Sequence, residues 1–137
     1  MTPHPARPLE RSSLAESNER VIYQNTLLGI CESHSLLVGL KFLEPGGVRN
    51  TMPPHLRERR SEIYFYCGFN EQQRVMRFMG KSGSMRHLVI KSGKVVISPP
   101  WSIHMVAGTS NYNFIWAMAG KSLDCTDLQV LGICQLQ

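Results

Sequence analysis

The 137-residue chain reads as a single all-β domain, a barrel or a sandwich, on three observations. Short runs of alternating apolar residues recur, with turn residues between them at roughly ten-residue spacing. No convincing helical period interrupts those runs, and no internal repeat is visible. Two stretches lie far apart in sequence: Asn50 to Tyr66 puts His55 seven residues before Glu62, which opens an apolar strand, and Ile97 to Gly108 brings His104 onto a strand end. Only a closed or nearly closed sheet brings such segments side by side.

Residues 1 to 19, rich in Pro, Ser and charge, read as a flexible N-terminal tail. Val21 to Leu28 is a weak first strand. In Leu36 to Leu43, the residues Leu36, Val38, Leu40 and Phe42 share one face, and Glu44-Pro45-Gly46-Gly47 turns the chain. Glu62 to Cys67 places Glu62, Tyr64 and Tyr66 on one face and Ile63, Phe65 and Cys67 on the other. A polar turn leads to Arg74 to Met79, another to Met85 to Ile90. Lys91-Ser92-Gly93-Lys94 predicts a tight hairpin into Val95 to Ser98. Tyr112 to Met118 sets Tyr112, Phe114, Trp116 and Met118 against smaller residues. The barrel thus spans 20–120. Residues 121–137 form an extension in which Leu123 to Leu131 reads as a strand or a short helix.

Hydrophobic residues at 42% and charged residues at 18% suit a globular core rather than disorder. The formal charge of +5 is scattered apart from Arg57, Arg59 and Arg60, and it is not interleaved with aromatics. That pattern favours a small anionic ligand over nucleic acid, or else a solvated loop of arginines. The four cysteines lack zinc-knuckle or CxxC spacing. With no secretory h-region and no membrane-length apolar run, the expected setting is the cytoplasm, with reduced thiols and no membrane partner.

His55, Glu62 and His104 supply two imidazoles and a carboxylate, a donor set suited to a divalent metal. His55 and Glu62 are an odd number of positions apart, so a regular strand would point them to opposite faces. A bend or bulge is therefore expected between them, with Pro53 and Pro54 stiffening the approach. The competing reading makes His55 a surface loop residue and His104 a strand-end cap.

Gly93, Pro99 and His104 fit G-x5-P-x4-H, which resembles the second cupin motif, with Trp101 and Gly108 in place of the usual glycine and asparagine. His55, Arg57 and Glu62 resemble the first, H-x-H-x(3,4)-E, with Arg57 where the second histidine belongs. Together they predict a cupin-type β-barrel, the double-stranded β-helix or jelly roll. The motifs NTMPPH, ERR-x-E-x-YFY, RH-x-V, VISP-x-WSIH and FIW-x-M-x-G extend the likeness. From about Ser17 to Gly120 the chain resembles the C-terminal half of the 5-keto-4-deoxyuronate isomerase family, the 4-deoxy-L-threo-5-hexosulose-uronate ketol-isomerases of pectin breakdown.

The resemblance implies one zinc ion per chain and conversion of that uronate to 3-deoxy-D-glycero-2,5-hexodiulosonate. Of the family's three histidines and one glutamate on zinc, His55, Glu62 and His104 carry over, and Arg57 stands at the fourth position. Family members are about twice as long, with a second cupin-like half, and form hexamers, so a homo-oligomer and a shortened form are both expected. Glu58, Tyr64 and His87, within matching motifs, are the candidates for moving the proton, with His87 equally readable as structural. Arg57, Arg59 and Arg60 are candidates for the substrate carboxylate. A guanidinium cannot ligate a metal. Arg57 is therefore expected to swing outward, leaving three ligands. Pointing inward, it would hold the uronate carboxylate with no metal. Trp101, Phe114 and Trp116 read as core or pocket wall. The alternative to an isomerase is a non-catalytic cupin that binds a uronate or a partner subunit.

Overall fold

A computed structural model describes residues 13–26, 33, 35–120 and 128–136, with only the backbone of Met52. Ten strands follow one another: β1 (Arg20–Gln24), β2 (Leu36–Leu43), β3 (Arg49–Arg57), β4 (Arg60–Cys67), β5 (Val75–Lys81), β6 (Ser84–Ile90), β7 (Lys94–Ser98), β8 (Ile103–Gly108), β9 (Asn113–Gly120) and β10 (Leu128–Val130). They form two antiparallel five-stranded sheets, ordered β1-β2-β9-β4-β7 and β10-β3-β8-β5-β6. The all-β expectation holds. No helix among the described residues is long and apolar enough to cross a membrane.

The core lies between the sheets, where the period-2 alternation of each strand delivers its bulky residues. From β9 come Phe114, Trp116 and Met118, and from β4 Tyr64 and Tyr66, all buried. Tyr112, Tyr66 and Phe114 pack ring to ring at centroid distances of 5.8–6.0 Å. Arg77, on β5, is also fully buried. Its guanidinium lies 4.1 Å over the Tyr64 ring and donates to Tyr66 Oη at 2.8 Å and Ser98 Oγ at 2.6 Å.

In β2 the inward residues are Leu37, Gly39, Lys41 and Leu43. The Leu36–Val38–Leu40–Phe42 face points outward, and Leu36 is 43% exposed. Lys91–Lys94 is not a hairpin turn, because β6 and β7 belong to different sheets. The segment carries the chain across the sandwich, with Gly93 at φ +80° and its N–H on Tyr66 O at 2.8 Å.

Two strands escaped the sequence pattern. In β3, Pro53 and Pro54 fall within a register shift against β8, between Asn50 and His55, where no ladder bond is required of them. In β8, His104 is the second residue of its strand rather than a cap beyond one. Residues 13–19 include a turn whose Ser17 N–H donates to Leu14 O at 2.9 Å. In the C-terminal extension, Leu128–Val130 pairs with β3 and Ile133–Gln135 makes a 3-10 turn. Residues 121–127 lie outside the described residues, as do Cys31 and Cys125. Cys67 and Cys134 are free thiols.

Candidate active site at the cupin cavity

The change of sheet between β3 and β4 solves the parity problem. The chain bends at Glu58 and Arg59, so that β3 ends in one sheet and β4 begins in the other. A residue on the inner face of each then looks into the same space. His55 pairs directly with His104 on β8, and their rings lie 4.8 Å apart at 63°. Glu62 approaches from the opposite sheet, with Oε2 3.2 Å from His104 Nε2.

Both imidazoles are oriented by backbone carbonyls. His55 Nδ1 lies 3.1 Å from Pro53 O, and His104 Nδ1 lies 3.3 Å from Ser102 O. A carbonyl only accepts, so each Nδ1 carries a proton, and the lone pair of a neutral ring then lies on Nε2. Backbone support of this kind is typical of metal-ligating histidines. A lone pair facing a carboxylate oxygen at 3.2 Å repels it unless a positive charge sits between them, either a proton on Nε2 or a metal ion. The spacing also suits two ligands of one tetrahedral zinc, whose donors lie roughly 3.4 Å apart.

Tyr64 and Arg57 complete the cluster. The Tyr64 hydroxyl donates a short hydrogen bond to Glu62 Oε2 and lies 3.1 Å from His104 Nε2. Arg57 Nε sits 2.9 Å from Glu62 Oε1, its side chain only 11% exposed. The expectation of an outward Arg57 is therefore corrected: the buried carboxylate draws the guanidinium in. Glu62 gives one oxygen to Arg57 and the other to Tyr64 and His104.

Burial alone would push the Glu62 carboxyl up. The hydrogen bond and charge of His104, the Tyr64 hydroxyl and Arg57 outweigh it and hold the group at about 2. Burial, reinforced by His104, lowers His55 to about 4 despite the Pro53 carbonyl, so its ring is neutral at pH 7. Burial and the Glu62 charge raise Tyr64 well above its ordinary value against the opposing Arg77, so it is a protonated phenol.

His55, Arg57, Glu62 and Tyr64 line a cavity of about 220 Å³, together with Arg20, Lys41, Asn50, Trp116 and Met118 among others. That volume is below the range usual for drug-sized ligands and suits a small one.

The KduI/IolB family model matches residues 8–130. The chain belongs to the KduI/IolB family. The 4-deoxy-L-threo-5-hexosulose-uronate ketol-isomerase 1 of Rhizobium meliloti (strain 1021) is 50% identical over 123 residues, 90% of this chain and 44% of the relative. The Shouchella clausii (strain KSM-K16) protein of the same activity name is 49% identical, over 96% of this chain and 48% of its own. The chain thus spans just under half the length of these relatives. Among solved structures, an IolB-like protein from Salmonella typhimurium LT2 superposes with a TM-score of 0.69 at 16% identity, over 84% of this chain and 47% of that one. A Bacillus subtilis oxalate decarboxylase does so at 0.64 and 16%, over 91% of this chain and 30% of its own. At such identity these neighbours speak for the cupin fold alone.

Within this KduI/IolB domain, the residues singled out by sequence separate cleanly. His55, Arg57, Glu62, Tyr64 and His104 converge. Glu58 is exposed and accepts from Gln129 Nε2 at 3.1 Å, outside the cavity. Arg59 is exposed at the bend, and Arg60, 1% exposed, is not among the cavity-lining residues. His87 pairs with Phe78, the neighbour of inward-facing Arg77, and so stands exposed on the outer face of β6. Trp101 is 52% exposed and flanks a different, apolar hollow beside Met79 and Leu88.

Sequence reasoning missed Arg20, Lys41 and Asn50. For Lys41 a signal existed, a lysine in step with Leu37, Gly39 and Leu43. As they stand, no three His, Cys, Asp or Glu side chains among the described residues are gathered tightly enough to hold a metal ion. The donor chemistry nonetheless fits zinc, with His55, Glu62 and His104 as the residues that would hold it.

Proposed function

We propose that this domain is a zinc-dependent ketol-isomerase unit. It would interconvert 4-deoxy-L-threo-5-hexosulose uronate and 3-deoxy-D-glycero-2,5-hexodiulosonate, the activity that its relatives are named for. The observation that carries the reading is the facing pair of Glu62 Oε2 and His104 Nε2, with His55 against it and Tyr64 bridging it.

A ketol isomerisation moves a proton between adjacent carbons through an enediol and needs the carbonyl oxygen polarised. Zinc, held by His55, Glu62 and His104, supplies a Lewis acid for that oxygen when bound. The protein's own groups do the rest. Tyr64 alone of the three proton-transfer candidates lines the cavity. Its hydroxyl proton has an acceptor within reach in Glu62 Oε2, so it can leave Oη and return during one turnover. Arg57 steadies Glu62 through Oε1 and leaves Oε2 to the site.

A second reading, binding without catalysis, is favoured by the same Arg57. Its positive charge already neutralises the carboxylate that a metal needs. Two measurements separate the readings: conversion of 4-deoxy-L-threo-5-hexosulose uronate by the purified chain, and zinc content with and without Arg57→His. Turnover that tracks zinc supports the isomerase. Uronate binding without turnover at full zinc loading supports the second reading.

A further inference from the structure

Among the described residues that line the cavity are the cations Arg20, Lys41 and Arg57 and the carboxylate Glu62. Both oxygens of that carboxylate are engaged, by Arg57 on one side and by Tyr64 and His104 on the other. With the Glu62 oxygens so engaged, an anion entering the cavity would meet Lys41 Nζ.

Lys41 is the informative member of the set. It sits on the inward face of β2, opposite Phe114 in register, with Nζ 5.6 Å over that ring. A lysine pointed into an apolar strand face costs free energy unless something anionic meets it. Burial and the neighbouring Arg20 lower its ammonium to about 8, against the pull of Glu62.

Two further polar atoms of cavity-lining residues, one from each sheet, lack hydrogen-bond partners. The Trp116 indole Nε1–H and the Asn50 carbonyl Oδ1 are buried and make no hydrogen bond. One donates and the other accepts, and a hydroxyl can meet either. The indole reaches this position because residue 39 is glycine. A Cβ there would lie 2.3 Å from Trp116 Cζ2 and 2.7 Å from Nε1.

We propose that Lys41 Nζ anchors the carboxylate of a small hydroxylated acid in this cavity, and that Trp116 Nε1–H and Asn50 Oδ1 read its hydroxyls. The inference deepens the isomerase reading by fixing the acid end of the substrate. It needs only binding, not turnover.

The test is calorimetric titration of the purified chain with D-galacturonate and with its neutral counterpart D-galactose, repeated on Lys41→Met, Lys41→Gln and Lys41→Arg. The parent is expected to prefer the acid. That preference should fall about tenfold or more in Lys41→Met and Lys41→Gln and return in Lys41→Arg, while galactose binding stays constant. Two neutral variants are used so that a folding failure in one leaves the other readable, checked by circular dichroism. Acid preference unchanged in both neutral variants overturns the proposal, as does an equal loss for acid and neutral sugar. A parent that binds neither sugar also overturns it. Lys41-dependent binding with no isomerisation would leave this inference standing and the isomerase reading fallen. Isomerisation whose KM ignores Lys41 would do the reverse.

Discussion

Arg57 Nε and Glu62 Oε1 lie 2.9 Å apart in the lining of the cavity, with the two side chains 11% and 4% exposed. This pair couples stability to chemistry, since the carboxylate that would hold a metal also compensates a buried guanidinium.

Glu62→Gln is expected to destabilise the domain by about 1–3 kcal/mol, because it removes the charge that Arg57, His104 and Tyr64 share. Urea unfolding measures the loss. The double variant Arg57→Met/Glu62→Gln should recover much of it, giving a clear coupling energy in the double-mutant cycle.

Tyr64→Phe removes the hydroxyl that bridges Glu62 Oε2 and His104 Nε2 while keeping the ring under Arg77. If Tyr64 moves the proton, kcat should fall about 10²- to 10⁴-fold with zinc content unchanged. Steady-state kinetics beside metal analysis checks both halves of that expectation.

Acid should destabilise the fold well above the pH at which Glu62 itself titrates. His55 is lowered from 6.5 to about 4, so between those values the unfolded chain binds a proton that the folded chain refuses. Stability is therefore retained above about pH 6.5 and lost as pH falls towards 4, by up to about 3 kcal/mol. Thermal melts across that range should show the slope, and His55→Gln should flatten it.

Gly39→Ala should displace the Trp116 indole, since the added Cβ would lie 2.3 Å from the ring. A cost of about 1–3 kcal/mol is expected for such overpacking, with a shift in tryptophan emission. An unchanged emission spectrum would mean that the strand, not the indole, yields.

The all-β reading and most strands were legible because β2, β4 and β9 alternate strictly. So was the bend after His55, which parity alone demanded. The strand nature of β3 was hidden by Pro53 and Pro54, which a sheet accepts only at an edge or a bulge and which here fall within the register shift. The inward turn of Arg57 was hidden too, because a charge run gives no hint of which arginine finds a buried carboxylate. Arg59 and Arg60 flank the same bend and miss the cavity, one facing solvent and the other fully buried beside Gly120. Lys41 was overlooked because the opposite face of β2 is the more apolar one, although it is that face which looks outward.

Zinc stoichiometry tests the central claim most directly, on the parent and on Arg57→His, each equilibrated with micromolar zinc and freed of excess. Three donors of the right chemistry predict close to one zinc per chain in the parent, held more tightly in Arg57→His. A zinc-free parent beside a filled Arg57→His protein would contradict the account and leave the domain a binding module.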